Sequence, residues 1–249
     1  MNVVIIPARW GSTRFPGKPL YVIAGKPLLQ RVWERCSRAN KIDATIIATD
    51  DMRIAEAAFD WGAEVALTSS EHQSGTDRIA EVVRHARDFS LVINVQGDEP
   101  LINPRLLNRL VSTLQQNRNI EIITAAHPFQ NATEAKSPHQ VKVVTDLSGE
   151  ALYFSRSLIP YPRDRKWPLR ALRHQGVYGF RRQTLLRLVK WKPAPLERAE
   201  SLEQLRALEN GVRVHVLVTK QGSPGVDTPE DAAALEQIIA GAERRGFPR

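Results

Sequence analysis

Three cations, Arg9, Arg14 and Lys18, sit four or five residues apart in one segment with Gly11, Gly17, Ser12 and Thr13. The segment runs Pro7-Ala8-Arg9-Trp10-Gly11-Ser12-Thr13-Arg14-Phe15-Pro16-Gly17-Lys18-Pro19-Leu20 and follows directly on the apolar residues 3–6. Glycines allow close backbone approach, amides donate hydrogen bonds, and guanidinium and ammonium groups neutralise charge. That set suits a polyphosphate cradle. Both GxxxxGK[ST] and GxGxxG fail here, so it is neither a Walker loop nor a dinucleotide fingerprint. An ordinary solvated loop is the alternative.

Two carboxylates lie far apart in the chain, Asp98 in Asn94-Val95-Gln96-Gly97-Asp98-Glu99-Pro100 and Asp227 in Gly225-Val226-Asp227-Thr228-Pro229-Glu230-Asp231. Asp98 ends a strand-like run, where a carboxylate can help hold Mg²⁺ together with substrate phosphates and water. Asp227 is its candidate partner, although Asp227 or Thr228 reads equally as a helix cap with Pro229 in the first turn. Asp50-Asp51 is a further acidic pair, with Asp51 placed to cap the next helix.

Something must hold these groups together. Residues 3–6, 44–48, 64–67, 91–95 and 120–126 read as strands, alternating with helical patterns over 27–38, 52–61, from Ser74 and over 104–116. This is the βαβ rhythm of an α/β fold, a wound, mostly parallel sheet covered on both faces, with ligands at the strands' carboxyl ends. From about residue 131 the rhythm changes. Strand-like pieces at 141–145, 151–155 and 176–181, a proline-rich connector at 160–168 and helices near Thr184 and Glu197 suggest a small inserted lobe at about 131–195. A strand at 214–218 and a helix at 229–242 return to the main body, giving a single domain over 1–249.

Composition closes other routes. A single cysteine, Cys36, permits no internal disulfide, and six scattered histidines without cysteine partners give no zinc spacing. The start MNVVIIPARW does not read as a signal peptide, and no apolar run approaches the ~20 residues of a membrane span. A cytoplasmic protein is expected. The net charge of +8 is lopsided: residues 1–125 hold 15 basic and 14 acidic residues, whereas 156–192 hold eleven Lys or Arg against Asp164 alone. Aromatic residues interleave there, so a nucleic-acid-binding protein using 156–192 is a rival from another class.

The blocks IIPARWGSTRFPGKPL, ATDD, HQSGTDR, NVQGDEPLI, VKVV, ALYFSR, RHQGVYGF, PLERAESLEQLRALENG and GVDTPED occur in this order almost end to end. In them the chain resembles the 3-deoxy-manno-octulosonate cytidylyltransferases, or CMP-Kdo synthetases. The resemblance implies a nucleotide-diphospho-sugar transferase-like fold and transfer of CMP from CTP to the anomeric hydroxyl of 3-deoxy-D-manno-octulosonate, with release of pyrophosphate, for lipopolysaccharide synthesis. It implies that Arg9, Arg14 and Lys18 act on the triphosphate, that Gly11, Ser12, Ser74, Gly75, Arg78 and Gln96 complete the nucleotide site, and that Asp98 and Asp227 hold Mg²⁺. Gln96, Arg156, His174, Tyr178 and Glu203 fall in blocks that contact the sugar. Taken alone, His174 reads as a structural histidine, Glu203 as a solvated helix residue, and Ser74 as a helix cap. A homodimer is implied as well. The related 8-amino sugar acid, or another ulosonic acid, is the alternative substrate.

Overall fold

The computed structural model describes residues 1–11, 15–163 and 171–244. In chain order its elements are β1 (Asn2–Ala8), a single 3-10 turn (Lys18–Leu20), β2 (Val22–Ile23), β3 (Lys26–Pro27), α1 (Leu28–Ser37), β4 (Ala44–Thr49), α2 (Met52–Asp60), β5 (Glu64–Leu67) and α3 (Gly75–His85). There follow β6 (Leu91–Asn94), α4 (Pro104–Gln116), β7 (Ile122–Pro128), α5 (Ala132–Lys136), β8 (Lys142–Thr145), β9 (Ala151–Ser155) and β10 (Leu172–Arg181). The chain continues through α6 (Arg182–Leu188), α7 (Pro195–Glu200), α8 (Gln204–Glu209), β11 (Val214–Val218) and α9 (Pro229–Arg244).

Two compact units emerge. The first comprises Met1–Phe89, Asn94–Asn108 and Ser223–Arg249, the second Ser90–Ile93 and Arg109–Gly222. The segment expected as an inserted lobe, 131–195, falls wholly in the second.

In the first unit β1 pairs in parallel with β4, and β4 with β5. Val3, Val4, Ile5 and Ile6 are all fully buried, which is why β1 is a continuous apolar run rather than an alternating one. On α1, Leu28, Leu29, Val32 and Cys36 share the buried face. Asp51 caps α2, accepting from the Arg53 amide at 3.0 Å, and Ser74 caps α3, accepting from the Asp77 amide at 3.1 Å. A separate apolar cluster joins Phe15, Ile23 and Leu28 to Val226, Ala232 and Leu235. It fixes the last helix beside the loop after β1, each large side chain contributing about 2 kcal/mol.

In the second unit the strands run β11-β7-β10-β6. β11 is parallel to β7, β10 is antiparallel to β7, and β8 with β9 forms an antiparallel extension on β10. The class is the expected one, α/β with a wound, mostly parallel sheet. β10 begins at Leu172, earlier than the 176–181 read from sequence, and its pairing shifts register between Gln175 and Tyr178. Gly179 packs where a Cβ would lie 2.7 Å from the Ile123 side chain, so this position on β10 requires glycine.

Candidate active site

The first unit contains a cleft of about 300 Å³, lined by residues from the end of β1, the Lys18 turn, the start of α3, the turn after β6 and Asp227. Three packing events build it. Gly97 and Gly75 both approach Pro7: a Cβ on Gly97 would lie 3.2 Å from the Pro7 carbonyl oxygen, and one on Gly75 would lie 3.1 Å from the Pro7 ring. Gly17 takes a left-handed φ of 69° under the Trp10 ring, to which a Cβ would come within 3.1 Å. The Arg53 guanidinium covers that ring at 3.6 Å and is itself held by Asp51 at 2.6 Å. Burial of Val226 then brings in the distant acidic segment, and the Val226 amide donates to the Asp98 carbonyl at 2.9 Å.

Lys18 is the hub. Its Nζ donates to Asp98 Oδ2 at 2.8 Å, to the Val226 carbonyl at 3.0 Å and to Asp227 Oδ1 at 3.4 Å. Two carboxylates separated by 129 positions therefore meet at one cation. Asp227 is not the helix cap: Thr228 Oγ1 accepts from the Asp231 amide at 3.3 Å, and Asp231 Oδ2 accepts from the amides of Asp227 and Thr228 at 2.9 Å. Its carboxylate turns to the cleft instead. Asp51 caps α2 and pairs with Arg53, and Asp50 pairs with Arg78 at 3.2 Å.

Of the nucleotide-site residues read from sequence, Arg9, Lys18, Ser74, Gly75, Arg78 and Gln96 line the cleft. Gly11 is exposed and outside the lining. Ser12 and Arg14 lie outside the described residues. Arg78 is buried, donating to Thr68 Oγ1 at 2.6 Å as well as pairing with Asp50, so it braces the start of α3. Gln96 donates to Asn94 Oδ1 at 3.4 Å. Sequence reasoning passed over His72, Gln73 and Gly97, which also line the cleft. The first two lie inside the HQSGTDR block, so position beside Ser74 was the available signal.

The remaining residues expected at the sugar site belong to the second unit. The Arg156 guanidinium donates to the carbonyls of Glu200 at 2.7 Å, Pro138 at 3.2 Å and Ser201 at 3.4 Å. His174 Nε2 meets Thr124 Oγ1 at 2.9 Å, and its ring lies 5.1 Å from that of Phe154 and 5.4 Å from that of Tyr178. Burial pushes the His174 imidazole down to about 3, so the ring is neutral near pH 7. Burial, and after it the nearby Glu203, raises the Tyr178 phenol. Glu203 lies 3.7 Å from Arg206, whose guanidinium is clasped by buried Glu197 at 2.8 and 2.5 Å.

Part of the basic stretch is engaged internally. Besides Arg156, Arg181 donates to the carbonyls of Leu114, Asn117 and Ile120, and Arg187 pairs with Glu121 at 2.7 Å. Burial raises the thiol of Cys36 and keeps it unreactive. Among the described residues no helix is long and apolar enough to cross a membrane.

A model of the cytidylyltransferase family matches residues 3–214. The 3-deoxy-manno-octulosonate cytidylyltransferase of Marinobacter nauticus is 48% identical over 98% of each chain, and that of Myxococcus xanthus 46% identical over 96% of each. A solved structure of CMP:2-keto-3-deoxy-manno-octonic acid synthetase complexed with CTP superposes with a TM-score of 0.92 at 39% identity, covering 97% of this chain and 99% of that one. A cytidylyltransferase from Leptospira borgpetersenii, at 19% identity and a TM-score of 0.66, shares the fold.

Proposed function

Because the chain belongs to the 3-deoxy-manno-octulosonate cytidylyltransferase family, we propose that it transfers CMP from CTP to the anomeric hydroxyl of 3-deoxy-D-manno-octulosonate. The product is the activated sugar for lipopolysaccharide synthesis. The observation that carries this reading is the convergence of Lys18, Asp98 and Asp227 in a cleft at the carboxyl end of β1.

The sugar's anomeric oxygen attacks the α-phosphorus, the bond to the bridging oxygen breaks, pyrophosphate leaves, and the hydroxyl proton passes to solvent. No protein nucleophile is required, because such transfers depend on positioning and on spreading charge. Arg9, Arg14 and Lys18 neutralise the triphosphate, with Gly11 and Ser12 in the same loop. Ser74, Gly75, Arg78 and Gln96 hold the nucleoside. Asp98 and Asp227 would hold Mg²⁺, and the donor set fits: two carboxylates already share one cation, and Mg²⁺ takes one or two carboxylates plus phosphate and water. When bound, Mg²⁺ supplies charge neutralisation at the phosphates. By the family's pattern Gln96 is a sugar-binding residue, and so are Arg156, His174, Tyr178 and Glu203, with Arg156 as the partner for the sugar carboxylate. A neutral His174 serves there by hydrogen bonding rather than charge. We keep the single domain with a lobe at 131–195, the homodimer and the cytoplasmic location as parts of the same proposal.

Pyrophosphate release with CTP and a panel of sugar acids, with and without Mg²⁺, tests it. Turnover of 3-deoxy-D-manno-octulosonate that chelation abolishes is expected. Turnover only with the 8-amino analogue would move the substrate assignment, and none with any 3-deoxy-ulosonic acid would overturn the reading.

A further inference from the structure

We propose that His72, its tautomer set by Glu81, is the residue that selects cytosine over uracil; this rests on the cleft being the CTP site. His72 lines the cleft next to Gln73, Ser74 and Gly75. The lining divides by chemistry. Arg9, Lys18, Asp98 and Asp227 carry the charge that phosphates and their counter-ion need, Arg78 is taken up by Asp50 and Thr68, and residues 72–75 offer donors and acceptors suited to a base.

His72 Nε2 is hydrogen-bonded to Glu81 Oε2, and that same oxygen accepts the Ser69 amide at 3.0 Å. The Ser69 amide first, and His72 after it, hold the Glu81 carboxyl below the usual range, so it is an ionised acceptor. In the neutral imidazole the proton then resides on Nε2, and Nδ1 carries a lone pair with no partner among the described residues. A lone pair accepts from the exocyclic amino group of cytosine, and it opposes the carbonyl oxygen that uracil presents at the same place. Substituting an acceptor for a donor against a fixed acceptor is the kind of mismatch that binding sites reject strongly. The Glu81 contact acts at one remove, as a positioning interaction on the ring.

The test compares kcat/KM for CTP and UTP at pH 8 in the wild type and in His72→Phe, which keeps a ring without nitrogen. The CTP:UTP ratio is expected to narrow by roughly 10- to 100-fold, chiefly through loss on CTP. Equal losses on both nucleotides would overturn the proposal and leave His72 a packing residue. If no sugar acid turns over, the proposed activity fails separately. Calorimetric binding of CTP and UTP then makes the same comparison with the same two outcomes. Should His72→Phe fail to fold, ¹⁵N NMR of the wild-type histidines decides. A proton on Nε2 and an Nδ1 resonance that moves with CTP but not UTP are expected. A proton on Nδ1, or no response to CTP, would contradict the assignment.

Discussion

Lys18 in the first unit and Lys142 in the second put the same ammonium group to opposite use. Lys18 keeps 15% of its side chain exposed and faces two carboxylates across an open cleft. Lys142 is fully buried and donates to three carbonyls, those of Ser137 at 2.9 Å, Gln140 at 2.7 Å and Arg156. Burial lowers its pKa. Carboxylates around a partly exposed cation can exchange that cation for a ligand's counter-ion, whereas carbonyls around a buried one hold it in place. Charge in the first unit is thus available for chemistry. In the second unit part of it ties the chain together, as with Arg181 and the Glu197–Arg206 pair. The +8 excess is explained in part by those internal duties.

The largest expected effect is on the cleft side. Asp98→Ala should lower turnover by ~10³-fold while hardly changing the melting temperature, since its side chain is 31% exposed. Activity within tenfold of wild type would remove Asp98 from the machinery. On the other side, Glu197→Ala strands the buried Arg206 guanidinium and should cost ~3 kcal/mol in urea unfolding. A loss below ~1 kcal/mol would show the pair to be dispensable. Lys142→Met keeps the buried stem but removes three hydrogen bonds to carbonyls, for ~2 kcal/mol; unchanged stability would refute the structural role.

Acid sharpens the comparison further. The unfolded chain protonates His174 near 6.5, whereas the folded chain resists until about 3. The neutral ring therefore contributes stability that is fully present above pH 6.5 and lost as pH falls towards 3, at no more than ~1.4 kcal/mol per unit. His174→Gln should flatten the stability profile in that window, and an unaltered slope would refute the assignment. The smallest effect separates neighbours at α9. Thr228→Ala should cost ~1 kcal/mol and keep turnover, while Asp227→Ala should do the reverse.

Much of the first unit was legible because its strands and helices announce themselves by apolar period, as with the fully buried residues 3–6 and the Leu28, Leu29, Val32, Cys36 stripe. The meeting of Asp98 and Asp227 was expected from their chemistry and from the resemblance, not from any local pattern. It depends on Val226 packing against Phe15 and Leu28, and tertiary burial of that kind leaves no local period. The short helices α5 and α8 carry too few turns to show one, and the register shift in β10 breaks the alternation that marks a strand. Lys142 was hidden for a different reason, since lysine is read as exposed and its three acceptors exist only in the folded chain. His72 and Glu81 stand nine residues apart, one before α3 and the other within it, with no motif to join them.

The most direct test of the account is a structure with CTP, Mg²⁺ and 3-deoxy-D-manno-octulosonate bound. It should show one Mg²⁺ contacting both Asp98 and Asp227, with the triphosphate beside Lys18 in the cleft of the first unit. Metal held by other residues, or a nucleotide bound outside that cleft, would contradict it.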